Sequence, residues 1–113
     1  MLDILYYPEG NHGPVRDYLT QLAKERPKAF ARLALDLEVL GAEGLRSPQI
    51  TVRPLGDKVW ELKRLYDGIH YRVFFGVHKG AAWLVHSIEK KSAKTPKDDL
   101  EVARKRLKEV MAR

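Results

Sequence analysis

The chain has 113 residues, 44% hydrophobic and 32% charged, which fits one folded domain with its own core. It has no cysteine, which excludes a disulfide framework, a thiolate zinc site and a cysteine nucleophile. The net charge is +6, and residues 89–113 hold nine Lys/Arg against five Asp/Glu. That basic excess suits a polyanion-binding protein or a merely solvated surface.

No basic segment followed by a long apolar run opens the chain, and no run approaches about 18 apolar residues. A soluble, cytoplasmic protein is expected, with no membrane partner. LDILYY (2–7) reads as a first strand and PEGNHGP (8–14) as a turn. Val15, Tyr18, Leu19 and Leu22 form one helical stripe. Pro27 interrupts it and suits the first position of a second helix. There Phe30, Leu33, Ala34, Leu37 and Leu40 repeat the stripe, and Gly41 and Gly44 are expected to stop it.

From about residue 50 the period becomes two. ITVRPL (50–55) is extended, with Pro54 marking an edge or a strand entry. KVWELKRL (58–65) is a strand, Asp67-Gly68 a hairpin turn, and IHYRVFFGV (69–77) the returning strand. AAWLVHSIE (81–89) is the last strand, and KKSAK (90–94) a basic connector. The final helix has Thr95 as expected N-cap, Pro96 at its first position and Asp98 completing a capping box. Leu100, Ala103, Leu107 and Val110 form its apolar stripe. The predicted fold is α+β, in the order β-α-α-β-β-β-α. An antiparallel sheet is covered on one face by a helical hairpin, and a C-terminal helix follows. Ile69, Tyr71, Val73 and Phe75 face the hairpin. His70, Arg72, Phe74 and His78 point the other way, as an exposed cationic face.

Three stretches carry a resemblance: GDKVWELK (56–63), DGIHYRVFFGV (67–77) and HSIEKKSAKTPKDDLEVARKR (86–106). Together they resemble the RelE/ParE superfamily of bacterial toxins, and within it the HigB-like, phage-derived branch. The resemblance covers the C-terminal half; the N-terminal half matches in layout. It implies a single RelE-like domain, the toxin of a type II toxin–antitoxin pair. The implied activity is ribosome-dependent mRNA cleavage by 2′-OH attack, with no metal and no cofactor. The implied partners are a cognate helix-turn-helix antitoxin, the ribosome and mRNA, with operator DNA reached only through the antitoxin complex. Two alternatives stay open: a ParE-like DNA gyrase inhibitor, and a nucleic-acid-binding module without catalysis.

Metal-free RNA cleavage needs a base, an acid and cations beside the phosphate. The resemblance puts Arg72, of the YR pair, at the phosphate; a surface arginine paired with Glu61 is the plainer reading. Lys63 would neutralise phosphate or act as base, or be a solvated strand lysine. His86 would act as acid or base if Trp83 and Val85 face the helical hairpin, so that His86 shares a face with Arg72. His70, near the turn, and Lys90, Lys91 and Lys94 are RNA-contact candidates, or solvated residues. Several cleaving relatives carry lysine where Glu61 stands, so Glu61 would serve as base or orient Arg72. Phe74 is expected under the C-terminal helix rather than stacked on a base, Tyr71 in the core, and Arg64 on the opposite face. His12 and His78 read as loop residues, and the four histidines lack metal-ligand spacing.

Overall fold

The computed structural model describes residues 1–113. β1 (Asp3–Tyr6) leads into α1 (Pro14–Glu25) and α2 (Pro27–Glu43). Four strands follow: β2 (Thr51–Gly56), β3 (Val59–Tyr66), β4 (Ile69–His78) and β5 (Ala81–Lys90). α3 (Lys97–Met111) ends the chain. The α+β order expected from sequence is present, and the extended stretch around Pro54 is a full strand. His78 closes β4 and is not a loop residue. No helix is long and apolar enough to cross a membrane.

The strands lie in the order β1-β5-β4-β3-β2, antiparallel except for β1, which runs parallel to β5. β2 is an edge, where Pro54, lacking an N–H, leaves no ladder bond unmade on a central strand. The three tight turns of the meander place both central residues at positive φ: Asp57-Lys58 (52° and 68°), Asp67-Gly68 (51° and 78°) and Lys79-Gly80 (51° and 79°). That geometry matches the right-handed twist of the flanking strands.

Both sheet faces are covered. The stripes of α1 and α2 bury Val15, Leu19, Leu22, Leu33, Leu37 and Leu40 against Leu62, Tyr71, Val73, Phe75 and Leu84. On the other face Ala103 and Leu107 of α3 pack on Val59, Phe74 and Val85. Phe74 therefore lies beneath the C-terminal helix, and Tyr71 in the main core. The condition attached to His86, that Trp83 and Val85 face the helical hairpin, is not met. Phe74 pairs with His86 and Phe75 with Leu84, so Val85 is left over as a β-bulge. The bulge lets Val85 and His86 share the α3 face, and Trp83 packs there too.

Two helix ends also differ from expectation. Gly41 lies inside α2; its carbonyl accepts a 2.7 Å bond from the Leu2 amide. A Cβ there would sit 3.1 Å from the Leu2 carbonyl, so the glycine serves the approach of β1, and Gly44 at φ 80° ends the helix. At α3 the N-cap is Pro96, with no side-chain cap bond. Thr95 does not cap, because its hydroxyl bonds Glu61 across the sheet.

A polar tie joins α1 to the sheet. The Tyr18 hydroxyl donates to Glu89, and one Arg26 nitrogen donates to Glu89 (2.9 Å) and to the Tyr71 hydroxyl (3.2 Å). Burial, reinforced by the bond to Glu89, raises the Tyr18 phenol above its ordinary range.

Gly76 faces Leu107, and a Cβ there would meet the Leu107 methyls at 2.4 and 2.5 Å. Gly76→Ala is expected to cost about 1–3 kcal/mol, and adding Leu107→Ala to cost less than the sum of the two singles, both read by urea unfolding. For Tyr18 the folded pKa lies above the unfolded one, so its contribution is complete below the unfolded value and is lost as pH rises. Stability should therefore fall above about pH 10, and the slope should be shallower in Tyr18→Phe. Chemical unfolding at stepped alkaline pH measures both.

Candidate functional site

Three of the cross-strand rows on the sheet face that carries α3 hold the candidate residues. The first is Arg53, Glu61, Phe74 and His86; the second Thr51, Lys63, Arg72 and Ile88; the third Leu65, His70 and Lys90. α3 and the connector before it cover the first row and reach over the second. The third row, at the tip of the β3–β4 hairpin, is open: Leu65 is 59% exposed and Lys90 is exposed.

The covered rows hold a buried ion cluster. Glu61 and Arg72 are both 0% exposed. Glu61 accepts from Arg53 Nε (3.0 Å) and from the Thr95 hydroxyl (2.7 Å). Arg72 donates to Thr95 Oγ1 (3.2 Å) and to the Ala93 carbonyl. Arg72 Nε lies 3.7 Å from Glu61 Oε2 and makes no hydrogen bond, so this direct contact is electrostatic. Two arginines around one carboxylate leave the cluster with one net positive charge. Glu61 and Arg72 are shut off from solvent, so partners, not water, must satisfy them, whereas Arg53 is half-exposed.

This arrangement corrects the reading of an exposed cationic face. Arg72, 0% exposed beneath Ala93 and Thr95, cannot grip an external phosphate in this arrangement. Glu61 is equally closed to a substrate hydroxyl. Each serves first to hold the connector on the sheet. The plainer expectation, Arg72 paired with Glu61 across the hairpin, describes the contact, although the pair is buried.

His86 does share the face with Arg72. Its Nε2 lies 2.8 Å from Asp99 Oδ1 on α3, and its ring stacks on Phe74 with centroids 5.8 Å apart. It tethers the first turn of the helix. Arg64 points to the other face, as its parity requires, and pairs with buried Asp36 through two nitrogens (Nε to Oδ2, 2.8 Å). Asp36 in turn supports the Arg64 guanidinium, whose pKa its hydrogen bond raises.

Lys63 is half-buried and makes no ion pair or side-chain hydrogen bond. His70 opposes Lys90 directly and is diagonal to Lys63 across the β3–β4 ladder. Diagonal neighbours lie roughly 7–8 Å apart, within reach of one phosphodiester. His70 Nδ1 is buried without a partner. Lys91 and Lys94 are exposed in the connector and likewise unpaired. The structure sets Lys90 opposite His70 and Lys63 between them and the cluster, diagonal to His70 and directly beside the buried Arg72.

Arg53, Thr95 and Asp99 escaped the sequence reading. Asp99 and Thr95 look like ordinary helix-start residues, and nothing local points them at β3 or β5. Arg53 could not be placed from the turn either: the register set at Asp57-Lys58 would put Pro54 opposite Glu61, and an irregularity between Pro54 and Gly56 shifts Arg53 there.

The fold and site define a small α+β protein whose mixed sheet carries helices on both faces and a basic, uncovered end on one. The chain belongs to the family described as phage derived protein Gp49-like (DUF891), whose profile matches residues 17–108. No curated protein and no solved structure matches the chain.

Removing one partner of the ion cluster should be costly. Arg72→Met leaves Glu61 buried beside only the half-exposed Arg53, and is expected to lose about 3–5 kcal/mol in urea unfolding. In Arg72→Met with Glu61→Leu, much of that loss should return; a strictly additive double mutant would contradict the assignment.

Proposed function

We propose that the chain is the toxin of a type II toxin–antitoxin pair, a ribosome-dependent endoribonuclease that cuts mRNA by 2′-OH attack. The observation that carries this reading is the basic, uncovered end of one sheet face, where Lys90 stands opposite His70, with the unpaired Lys63 diagonal to His70 at its border. Lys91 and Lys94 extend the same basic surface, which suits a phosphate backbone.

The chemistry follows from these groups. The 2′-oxygen attacks the adjacent phosphorus as a base takes its proton. The bond from phosphorus to the 5′-oxygen breaks, and an acid protonates that leaving oxygen. The products are a 2′,3′-cyclic phosphate and a free 5′-hydroxyl. His70 suits the proton transfers, since imidazole works near neutral pH in either direction. Lys63 suits the crowded phosphate, where negative charge grows. Arg72 acts from beneath, its charge fixed under the site and balanced by Glu61. Lys90, Lys91 and Lys94 hold the flanking phosphates. A helix-turn-helix antitoxin is the partner of this reading, and operator DNA is reached through that complex.

A second reading has its own support. Of the four catalytic candidates Lys63, Arg72, His86 and Glu61, only Lys63 has an uncommitted side chain. That favours a nucleic-acid-binding module without catalysis.

Induction in cells with mapping of mRNA 5′ ends separates these readings. Ribosome-phased cleavage is expected, falling roughly 10²–10⁴-fold in Lys63→Met and His70→Gln. RNA binding without new 5′ ends would select the second reading. Growth arrest with intact mRNA and altered DNA supercoiling would point to gyrase and overturn both.

A further inference from the structure

The tip of the β3–β4 hairpin has a second side. By parity, Leu65 and His70 face the α3 side, whereas Tyr66, Ile69 and Tyr71 face the helical hairpin. There the tip and the α1–α2 junction enclose a cleft of about 410 Å³. Its size falls within the range of small-ligand sites.

The walls have two chemistries. Tyr66, Ile69 and Tyr71 supply an aromatic and aliphatic side. Arg26 and Lys28 supply a cationic side. Arg26 makes both of its protein contacts through one terminal nitrogen, to Glu89 and Tyr71. The rest of its guanidinium fork is uncommitted, and its side chain is 43% exposed. Lys28 is exposed and unpaired. The Arg32 guanidinium lies over Tyr66, 5.6 Å from the ring centroid. Of the residues lining the cleft, Arg26 and Lys28 are cations and Asp67 on the turn is the carboxylate; Arg32, on Tyr66, and Glu89, engaged by Arg26 and Tyr18, stand outside the lining.

A purely apolar ligand would leave the cations unused, and a bare phosphate would leave the aromatic wall unused. A group with a flat π-face, an anion and hydroxyls uses all of it. We propose that this cleft binds one ribonucleotide unit, its base against Tyr66 and its phosphate on Arg26 and Lys28. Asp67, an acceptor-only carboxylate, takes a ribose hydroxyl. Stacking on an aromatic side chain with cations along the backbone is how single strands are held without duplex geometry. The biological use of the cleft rests on the RNA reading above: it would anchor a nucleotide beside the strand lying on Lys63, His70 and Lys90. The binding itself does not require cleavage.

The test titrates the full chain with AMP, GMP, CMP and UMP, and separately with inorganic phosphate, followed by amide chemical shifts. Nucleotides should shift residues 26–32 and 66–71, and bind more tightly than phosphate. Tyr66→Leu should weaken nucleotide binding about tenfold and leave phosphate binding unchanged. The exposed Lys28→Glu, which does not threaten the fold, should weaken both. Equal affinity for phosphate and nucleotides, no shift at these residues, or unaltered binding in both variants would overturn the proposal. Nucleotide binding at this cleft with no mRNA cleavage in cells would leave the site standing and sink the nuclease reading. Cleavage unaffected by Tyr66→Leu, in a protein that binds no nucleotide here, would do the reverse.

Discussion

Glu61 and Arg72 meet in a layer without solvent, between the sheet and the C-terminal helix. Neither charge tolerates that position alone, so each recruits partners from elsewhere in the chain. Glu61 draws Arg53 from the edge strand and the hydroxyl of Thr95; Arg72 draws Thr95 and the carbonyl of Ala93. The connector is thereby fastened over the second row of the sheet, and α3 starts at Lys97 with no side-chain cap. The line between the closed and open parts of this face runs where those partners end. Lys63 lies at that line, half-buried beside Arg72, and His70 lies beyond it.

The β-bulge at Val85 makes the layer possible. It turns both Val85 and His86 toward α3, one to fill the core with Phe74, Ala103 and Leu107, the other to bond Asp99. Without it, strict alternation would send one of the two into the opposite core. Gly76 does comparable work by absence: the space where its side chain would stand is occupied by Leu107. Helix α3 is thus seated by one small residue, one extra residue and one buried ion cluster.

The hairpin of β3 and β4 presents different chemistry on its two sides. One carries Lys63 and His70 beside Lys90; the other carries Tyr66 and Tyr71 beside Arg26 and Lys28. A single tight turn at Asp67-Gly68 brings the two surfaces within a few residues of each other. Alternation along a strand allows this, since neighbours in sequence point to opposite faces.

What the sequence by itself determined is periodic or local. Helical spacing marked α1, α2 and α3, and alternation marked which of Tyr71, Arg72, Val73 and Phe74 share a face. Asp67-Gly68 marked the hairpin, because its backbone angles depend on adjacent residues only. The opposite pointing of Arg64 also follows from parity, whereas His70 meets Lys90 only because of the bulge: strict pairing from the Lys79-Gly80 turn would set Glu89 opposite His70. Tertiary structure alone decided what covers each face. An apolar stripe such as that of α3 states that a helix must be buried, but not against which surface. The exposure of Arg72 therefore could not be read from its strand; it was settled by Ala93 and Thr95, some twenty residues away. The bulge at Val85 and the role of Gly41 have the same origin, since each answers to an approaching segment that the local sequence does not contain.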